Sequence, residues 1–241
     1  METLLYRATA FGFIALTVVM YTFVLRELKK GLDRSNWDDL RKKKIFRKVL
    51  YTIVGWTIFI SALAFSGFLQ QFSSFPPRLM IVLAVPLVTM IIVTFSMTTG
   101  ELLLHIEPRS IVRLQVFRLF VEILLWSLYI QNVLPVQMSF EGRNFDVLAG
   151  LTAPFAAYFL TQNRTALVIW NLLSLGLLIN IITIAILSLP SPFRVFMNEP
   201  ANTIVSYFPF VWLPGLLVPL AYGLHFLSLR QLGIVKKISH G

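Results

Sequence analysis

Seven stretches of this chain, residues 8–25, 49–77, 79–100, 123–140, 147–163, 165–193 and 200–229, hold no Asp, Glu, Lys or Arg. A helix rises about 1.5 Å per residue, so about 20 largely apolar residues cross a hydrocarbon layer about 30 Å thick. The stretches are rich in Leu, Ile, Val and Phe without strict alternation, which favours helices over the strands of an outer-membrane barrel. Charged residues make up 13% of the chain and hydrophobic ones 57%, against about 25% charged in an ordinary soluble domain. Such an excess of apolar surface needs an apolar solvent. The pattern predicts an all-α fold, a polytopic membrane helix bundle with seven transmembrane helices at about 5–26, 49–70, 79–100, 114–135, 146–163, 166–188 and 205–229. The fourth starts ahead of its charge-free stretch, near Leu114, and takes Arg118 and Glu122 into the helix. Residues 1–241 then form a single transmembrane domain, with a basic cytoplasmic loop, 26–48, after the first span. The first span is read as an uncleaved helix, because its near flank is no more basic than its far one and no clear small-x-small site precedes the charges.

Charge asymmetry sets the orientation. With the N-terminus outside, the cytoplasmic connections carry Arg26, Lys29, Lys30, Arg34, Arg41, Lys42, Lys43, Lys44, Arg47, Lys48, Arg109, Arg113, Arg164, Arg230, Lys236 and Lys237. The outer side keeps Arg7, Arg78, Arg143 and Arg194. Such a split predicts an N-out, C-in protein of the bacterial cytoplasmic (inner) membrane. The net charge of +10 is thus spent on topology and on anionic lipid headgroups along 26–48, and nucleic acid is not an expected partner. With no cysteine in the chain, disulfides, thiolate metal sites and a cysteine nucleophile are excluded.

Prolines end helices at the outer loops (Pro76, Pro77, Pro135, Pro190, Pro192, Pro200) and recur within or near spans at Pro86, Pro154, Pro209, Pro214 and Pro219. The last span is therefore expected to be bent or irregular at its outer end. Spans 2 and 3, with Trp56 and then Phe72-Ser73-Ser74-Phe75-Pro76-Pro77-Arg78, echo spans 6 and 7, with Trp170 and then Ser188-Leu189-Pro190-Ser191-Pro192-Phe193-Arg194. That echo suggests a 3+1+3 parallel repeat, a plan used by transporters.

Three polar groupings are candidate sites. Gln115, Arg118, Glu122, Tyr129 and Asn132 fall on one face of the fourth span, where Arg118 and Glu122 can pair at i, i+4. They form an intramembrane polar set with Asn180, which shares a face with Gly176 and Thr183, and with Tyr222. Charged groups within a span face the bundle interior, so this set is either a structural ion pair or the lining of a path. At the outer face, Glu141, Arg143, Asn144 and Asp146 from one loop join Arg194, Asn198, Glu199 and Asn202 from another. They would form a lid of paired charges or a site for a small polar or zwitterionic ligand, with Asp146 or Asn144 as a helix cap. Glu101, His105 and His225 lie near the cytoplasmic helix ends. They are the candidate metal ligands, or haem ligands through the two histidines, although no cofactor is expected.

No residue is assigned a catalytic role, since the chain has no Gly-rich phosphate loop, paired-histidine protease motif or nucleophile elbow. The last span holds no lysine, which removes a retinal Schiff base. Two functions stay open. One is a small-molecule transporter or carrier with a cavity bounded by the fourth span, Asn180 and Tyr222. The other is a receptor, sensor or accessory subunit that binds a ligand or partner at the outer loops.

Overall fold

A computed structural model describes residues 3–74 and 76–239, the last five of these by backbone alone. Phe75, His240 and the side chains of Lys236 and Lys237 lie outside the described residues. The chain is helical, with no strand among the described residues. Among the described residues, four helices are long and apolar enough to cross a membrane. These are α1 (Leu4–Arg34), α2 (Asp39–Phe65), α8 (Arg164–Leu187) and the stretch Leu213–Ile234, whose regular part is α9 (Val218–Ser239). A fifth passes if α3 (Leu79–Phe95) and α4 (Met97–Leu103), bent by 67° at Ser96, count as one span. Two further apolar segments are shorter: α6 (Phe117–Ile130), and α7 (Val147–Phe155) with its continuation to Leu160 as a π-turn. Each of these is 14 residues, about 21 Å of helix, less than the hydrocarbon thickness.

Local chemistry sets these boundaries. Thr3 caps α1 by accepting from the Tyr6 N–H at 3.1 Å, and Asp38 caps α2 by accepting from Arg41 N–H at 2.9 Å. The basic segment expected as a loop over 26–48 is helix at both ends: α1 runs on to Arg34, α2 starts at Asp39, and only 35–38 intervene. Ser96 ends α3 with its backbone N–H on Val93 O (3.2 Å), and its hydroxyl caps α4 by accepting from Thr99 N–H at 3.3 Å. Pro108 opens α5 (Pro108–Leu114), and Gln115 and Val116 break it from α6. The helix expected to reach residue 135 stops at Ile130, and Asn132 turns the chain with φ 55°, a left-handed conformation Asn tolerates. The outer end of the last span is irregular, with a 3-10 turn at Ile204–Ser206 and a π-turn at Leu213–Leu217 around Pro214.

The buried centre is α9, which packs on α3, α4, α5 and α8. α1 lies on α6 and α2, and α6 lies on α7. Phe210 is nearly fully buried and meets Tyr6 and Phe13 edge-on at 5.6 and 5.5 Å. The outside is apolar: Ile58, Phe59 and Phe65 of α2, Ile92 and Phe95 of α3, and Leu172 and Leu173 of α8 are exposed. Water does not tolerate so continuous an apolar surface, and lipid does. The fold therefore carries an apolar exterior along these helices and a set of polar side chains inside, among them Gln115, Arg118, Glu122, Asp146 and His225.

Candidate functional site

The polar groups converge between α6, α7, α8 and α9. Gln115, Arg118 and Glu122 of the predicted stripe are all buried, although only Arg118 and Glu122 share one helix and Gln115 lies in the break before it. Tyr129 is half-buried, and Asn132, beyond the helix end, is exposed. The partner of Arg118 is not Glu122. Its guanidinium grips Asp146 with both edges, Nε to Oδ2 at 2.7 Å and Nη2 to Oδ1. Nη2 also donates to Ser174 O at 3.0 Å, and Nη1 to His225 Nε2 at 2.8 Å. Because arginine only donates, His225 Nε2 is the acceptor. The proton then sits on Nδ1, which donates to Asn171 Oδ1 at 2.9 Å. The Asn171 amide nitrogen donates onward to Ser228 Oγ at 3.0 Å and to Leu167 O at 2.8 Å. Glu122 accepts from Asn144 Nδ2 at 2.5 Å, and Asn144 Oδ1 accepts the Asp146 backbone N–H at 3.0 Å.

Asn144 and Asp146 were expected in an outer loop, and both are buried. The segment 131–146 leaves α6 at Ile130 and folds back into the bundle. It reaches Glu122 and Arg118, eight and twelve residues down the helix, about 12 and 18 Å along its axis. Gly142 permits the fold, since a Cβ there would lie 2.3 Å from Val136 O. Gly150 lets α7 lie directly on α6, since its Cβ would fall 2.2 Å from Leu119 N. A second irregular segment, 188–212, meets the first where Gln137 Nε2 donates to Ser188 Oγ at 3.0 Å.

The rest of the expected outer cluster turns to its own neighbours. Glu141 accepts from Trp126 Nε1 at 2.5 Å, and the Arg143 guanidinium lies over the Phe196 ring at 5.3 Å. Arg194 pairs with Glu199 at 2.9 Å and donates to Phe196 O and to Asn198 O. Asn180, expected deep in the bundle, is exposed with Gly176 and Thr183, and donates to Arg143 O at 3.1 Å. Glu101 pairs with Arg41 at 3.1 Å near the end of α4, and His105 lies in the turn after it. His225 belongs to the Arg118 cluster, so the structure does not bring the three candidate ligands together, and no group suited to a metal ion occurs among the described residues.

A cavity of about 90 Å³ adjoins the cluster. Its walls are Leu79, Met80 and Leu83 of α3, Val121 and Leu125 of α6, side chains of α8 from Leu178 to Ile186, and Leu213 and Pro214 of the π-turn. Three polar residues join them: Glu122, Asp146 and Asn202. Asn202 is buried, its Nδ2 donates to Ala185 O at 3.1 Å, and its Oδ1 has no hydrogen-bond partner. Tyr222 is buried beside Phe226 and is not on this wall, nor is Asn180.

Sequence reasoning missed Asn171, Ser174 and Ser228. Their signal was present: His225 and Ser228 stand at i, i+3, as do Asn171 and Ser174, so each pair shares a helix face. No curated protein and no solved structure matches this chain significantly. Residues 76–233, which hold every residue of the buried cluster and of the cavity wall, match the model of a domain of unknown function (DUF8737), and the chain belongs to that family.

Proposed function

We propose that this is a membrane carrier that holds a small molecule in the cavity beside Glu122. The observation that carries the reading is an apolar cavity closed on one side by buried carboxyl groups, one of them tied to Arg118. Irregular backbone at membrane depth is tolerated only where protein buries it or where it lines a cavity. Here Met138 and Asp146 of one irregular segment, and Leu189, Asn202 and Val205 of the other, are cavity wall. Broken helices around a central site are a transporter plan. The π-turn at Leu213–Leu217 adds a third discontinuity at the same place, of a kind frequent at functional sites.

The reading keeps seven crossings of a cytoplasmic membrane, N-out and C-in, with the 3+1+3 plan. The α1–α2 hairpin would lay Lys29, Lys30, Lys43 and Arg47, all exposed, against anionic headgroups. Receptor-type binding at the outer loops has less support, because Arg194 and Glu199 are engaged with each other.

Xenon, followed by NMR, tests the cavity. It should bind the purified protein, and Ala185→Phe, which fills the space, should abolish binding. Aqueous access tests the carrier. A cysteine introduced by Val205→Cys would be unique in the chain, and in proteoliposomes it should react with a membrane-impermeant maleimide. Complete protection from both aqueous sides would overturn carriage and leave a static binding protein.

A further inference from the structure

The cavity wall has a one-sided hydrogen-bonding character. The wall is mainly apolar, and the polar residues in it carry acceptors: the carboxyl oxygens of Glu122 and Asp146, and the buried Asn202 Oδ1, which has no hydrogen-bond partner. The nitrogen donors in and behind it are already taken. The Asn202 amide nitrogen bonds Ala185 O, and the Arg118 guanidinium, behind Asp146, serves Asp146, His225 and Ser174. An anion would meet two carboxyl groups and no free donor. A molecule with N–H donors would satisfy Asn202 Oδ1 and face acidic oxygens, while its carbon chain met Leu, Ile, Val and Met.

The opening is also on the page. α3 and α8 both pack on α9 and make at most glancing contact with each other, yet both line the cavity. Met80 and Leu83 on one side, and Ile182 and Ile186 on the other, are half-buried, while the polar residues lie at the buried end. The gap between α3 and α8 is flanked by the exposed apolar residues Ile81, Val85, Ile179 and Leu173. Such a mouth is bordered by apolar surface.

We infer that the cavity takes a small primary amine with a short apolar chain, and that the amine enters from the bilayer between α3 and α8. This rests on the reading of the cavity as a ligand site. About 90 Å³ fits a chain of a few carbons and excludes a lipid tail. Of the two candidate carboxyl contacts, Asp146 is already paired with Arg118, so Glu122 is the one that meets the ammonium group.

Butylamine, butanol and butyrate, titrated calorimetrically into the protein in phosphatidylcholine nanodiscs against empty discs, test the ligand class. Butylamine should bind at least ~10-fold more tightly than butyrate, with butanol between, a spread of about 1.4 kcal/mol or more. Glu122→Gln should bring butylamine to the level of butanol and leave butanol unchanged. Asn202→Leu should weaken butylamine severalfold, and it provides the same test if Glu122→Gln does not fold. Butyrate binding as well as butylamine, or butylamine indifferent to both substitutions, would overturn the amine assignment while leaving the cavity a ligand site. Failure of all three probes with wild-type protein, together with no xenon binding, would remove the site itself. For the entry route, a fluorophore attached through Leu83→Cys should be quenched by doxyl-labelled lipid and shielded by butylamine. Quenching by aqueous iodide alone would overturn entry from the bilayer.

Discussion

Arg118 and Asp146, 28 positions apart in the chain, close a two-pronged ion pair within the bundle with each side chain at least nine-tenths buried. The pair holds an irregular segment against a helix at a depth where water is not at hand to solvate either charge. Both partners carry further bonds: Ser174 O and His225 on Arg118, the Asn144 turn on the Asp146 backbone. A buried pair with those additional bonds is geometrically specific even where its net contribution to stability is small.

Removing one partner exposes that specificity. Asp146→Leu leaves a buried guanidinium without its counter-charge, and Arg118→Leu leaves a buried carboxylate. Each should cost about 3–5 kcal/mol and lower the thermal unfolding midpoint in detergent sharply. The double substitution Arg118→Leu/Asp146→Leu should be less damaging than either single one, because no lone charge remains. Additive losses in the double-mutant cycle would mean that the two residues act independently.

His225 passes the cluster on from Arg118 to Asn171 and Ser228. His225→Phe keeps the ring volume but leaves the Asn171 carbonyl and one Arg118 N–H unpaired, at about 1–3 kcal/mol for each lost partner. Asn171→Leu should cost a similar amount, and the two losses should overlap, so that His225→Phe/Asn171→Leu loses distinctly less than the sum. Chemical-denaturation midpoints of the four proteins check this. The His225 Nδ1–H should also give a slowly exchanging proton signal that Asn171→Leu abolishes.

The helical class, the apolar exterior and the inward face of Arg118 and Glu122 were legible because burial follows the 3.6-residue period within one helix, whereas Gln115 is buried from the break before that helix. Asp146 was not. By sequence it stands next to Gly142 and Asn144 in a polar stretch, which reads as a surface turn with a cap. Its partner lies across the bundle, and no local pattern encodes a segment that folds back about 18 Å along α6. Asn180 stands in the middle of an apolar stretch, and Asn171 nearer its start. Depth along a span does not say which way a residue faces, and these two, nine positions apart, fall on opposite sides of α8, one exposed and one buried. The length of α1 was hidden for a related reason: charges end an apolar stretch and not the helix, and α1 runs on to Arg34.

Gly150 sets the distance at which Asp146 can reach Arg118. A methyl group there would meet Leu119 N at 2.2 Å and Cα at 2.9 Å, both backbone atoms that cannot swing away. Gly150→Ala should therefore force α7 off α6, weaken the ion pair and destabilise the protein by about 1–3 kcal/mol, as overpacking does. Gly176 is the control, since its Cβ would meet nothing within 4 Å. Gly176→Ala should be neutral or stabilising by up to about 1 kcal/mol through helix propensity. Comparable unfolding midpoints for the two variants would show that the α6–α7 contact is slack.

The 67° bend between α3 and α4 is held from outside by Arg230 of α9. Its Nη1 donates to Thr94 O, at the broken end of α3, and at 2.7 Å to Ser96 O, which also accepts the first N–H of α4, from Gly100, at 3.1 Å. Next to it, Gln231 donates to Leu103 O at 2.7 Å and Ile106 O at 2.6 Å at the end of α4. A cation at helix carbonyl ends is favoured by charge as well as by hydrogen bonding. The guanidinium fits because residue 100 is glycine: a Cβ there would stand 2.5 Å from Arg230 Nη2. Two unlike substitutions should then give one phenotype. Arg230→Met removes the donor, and Gly100→Ala displaces it. Both should raise amide hydrogen exchange across Ser96–Gly100 by about tenfold, the equivalent of about 1.4 kcal/mol in local opening. The amides of α6 and α7 around Arg118 should keep their protection in both variants. If Gly100→Ala leaves exchange at the bend unchanged while Arg230→Met raises it, the guanidinium has another seat and the glycine is not what admits it.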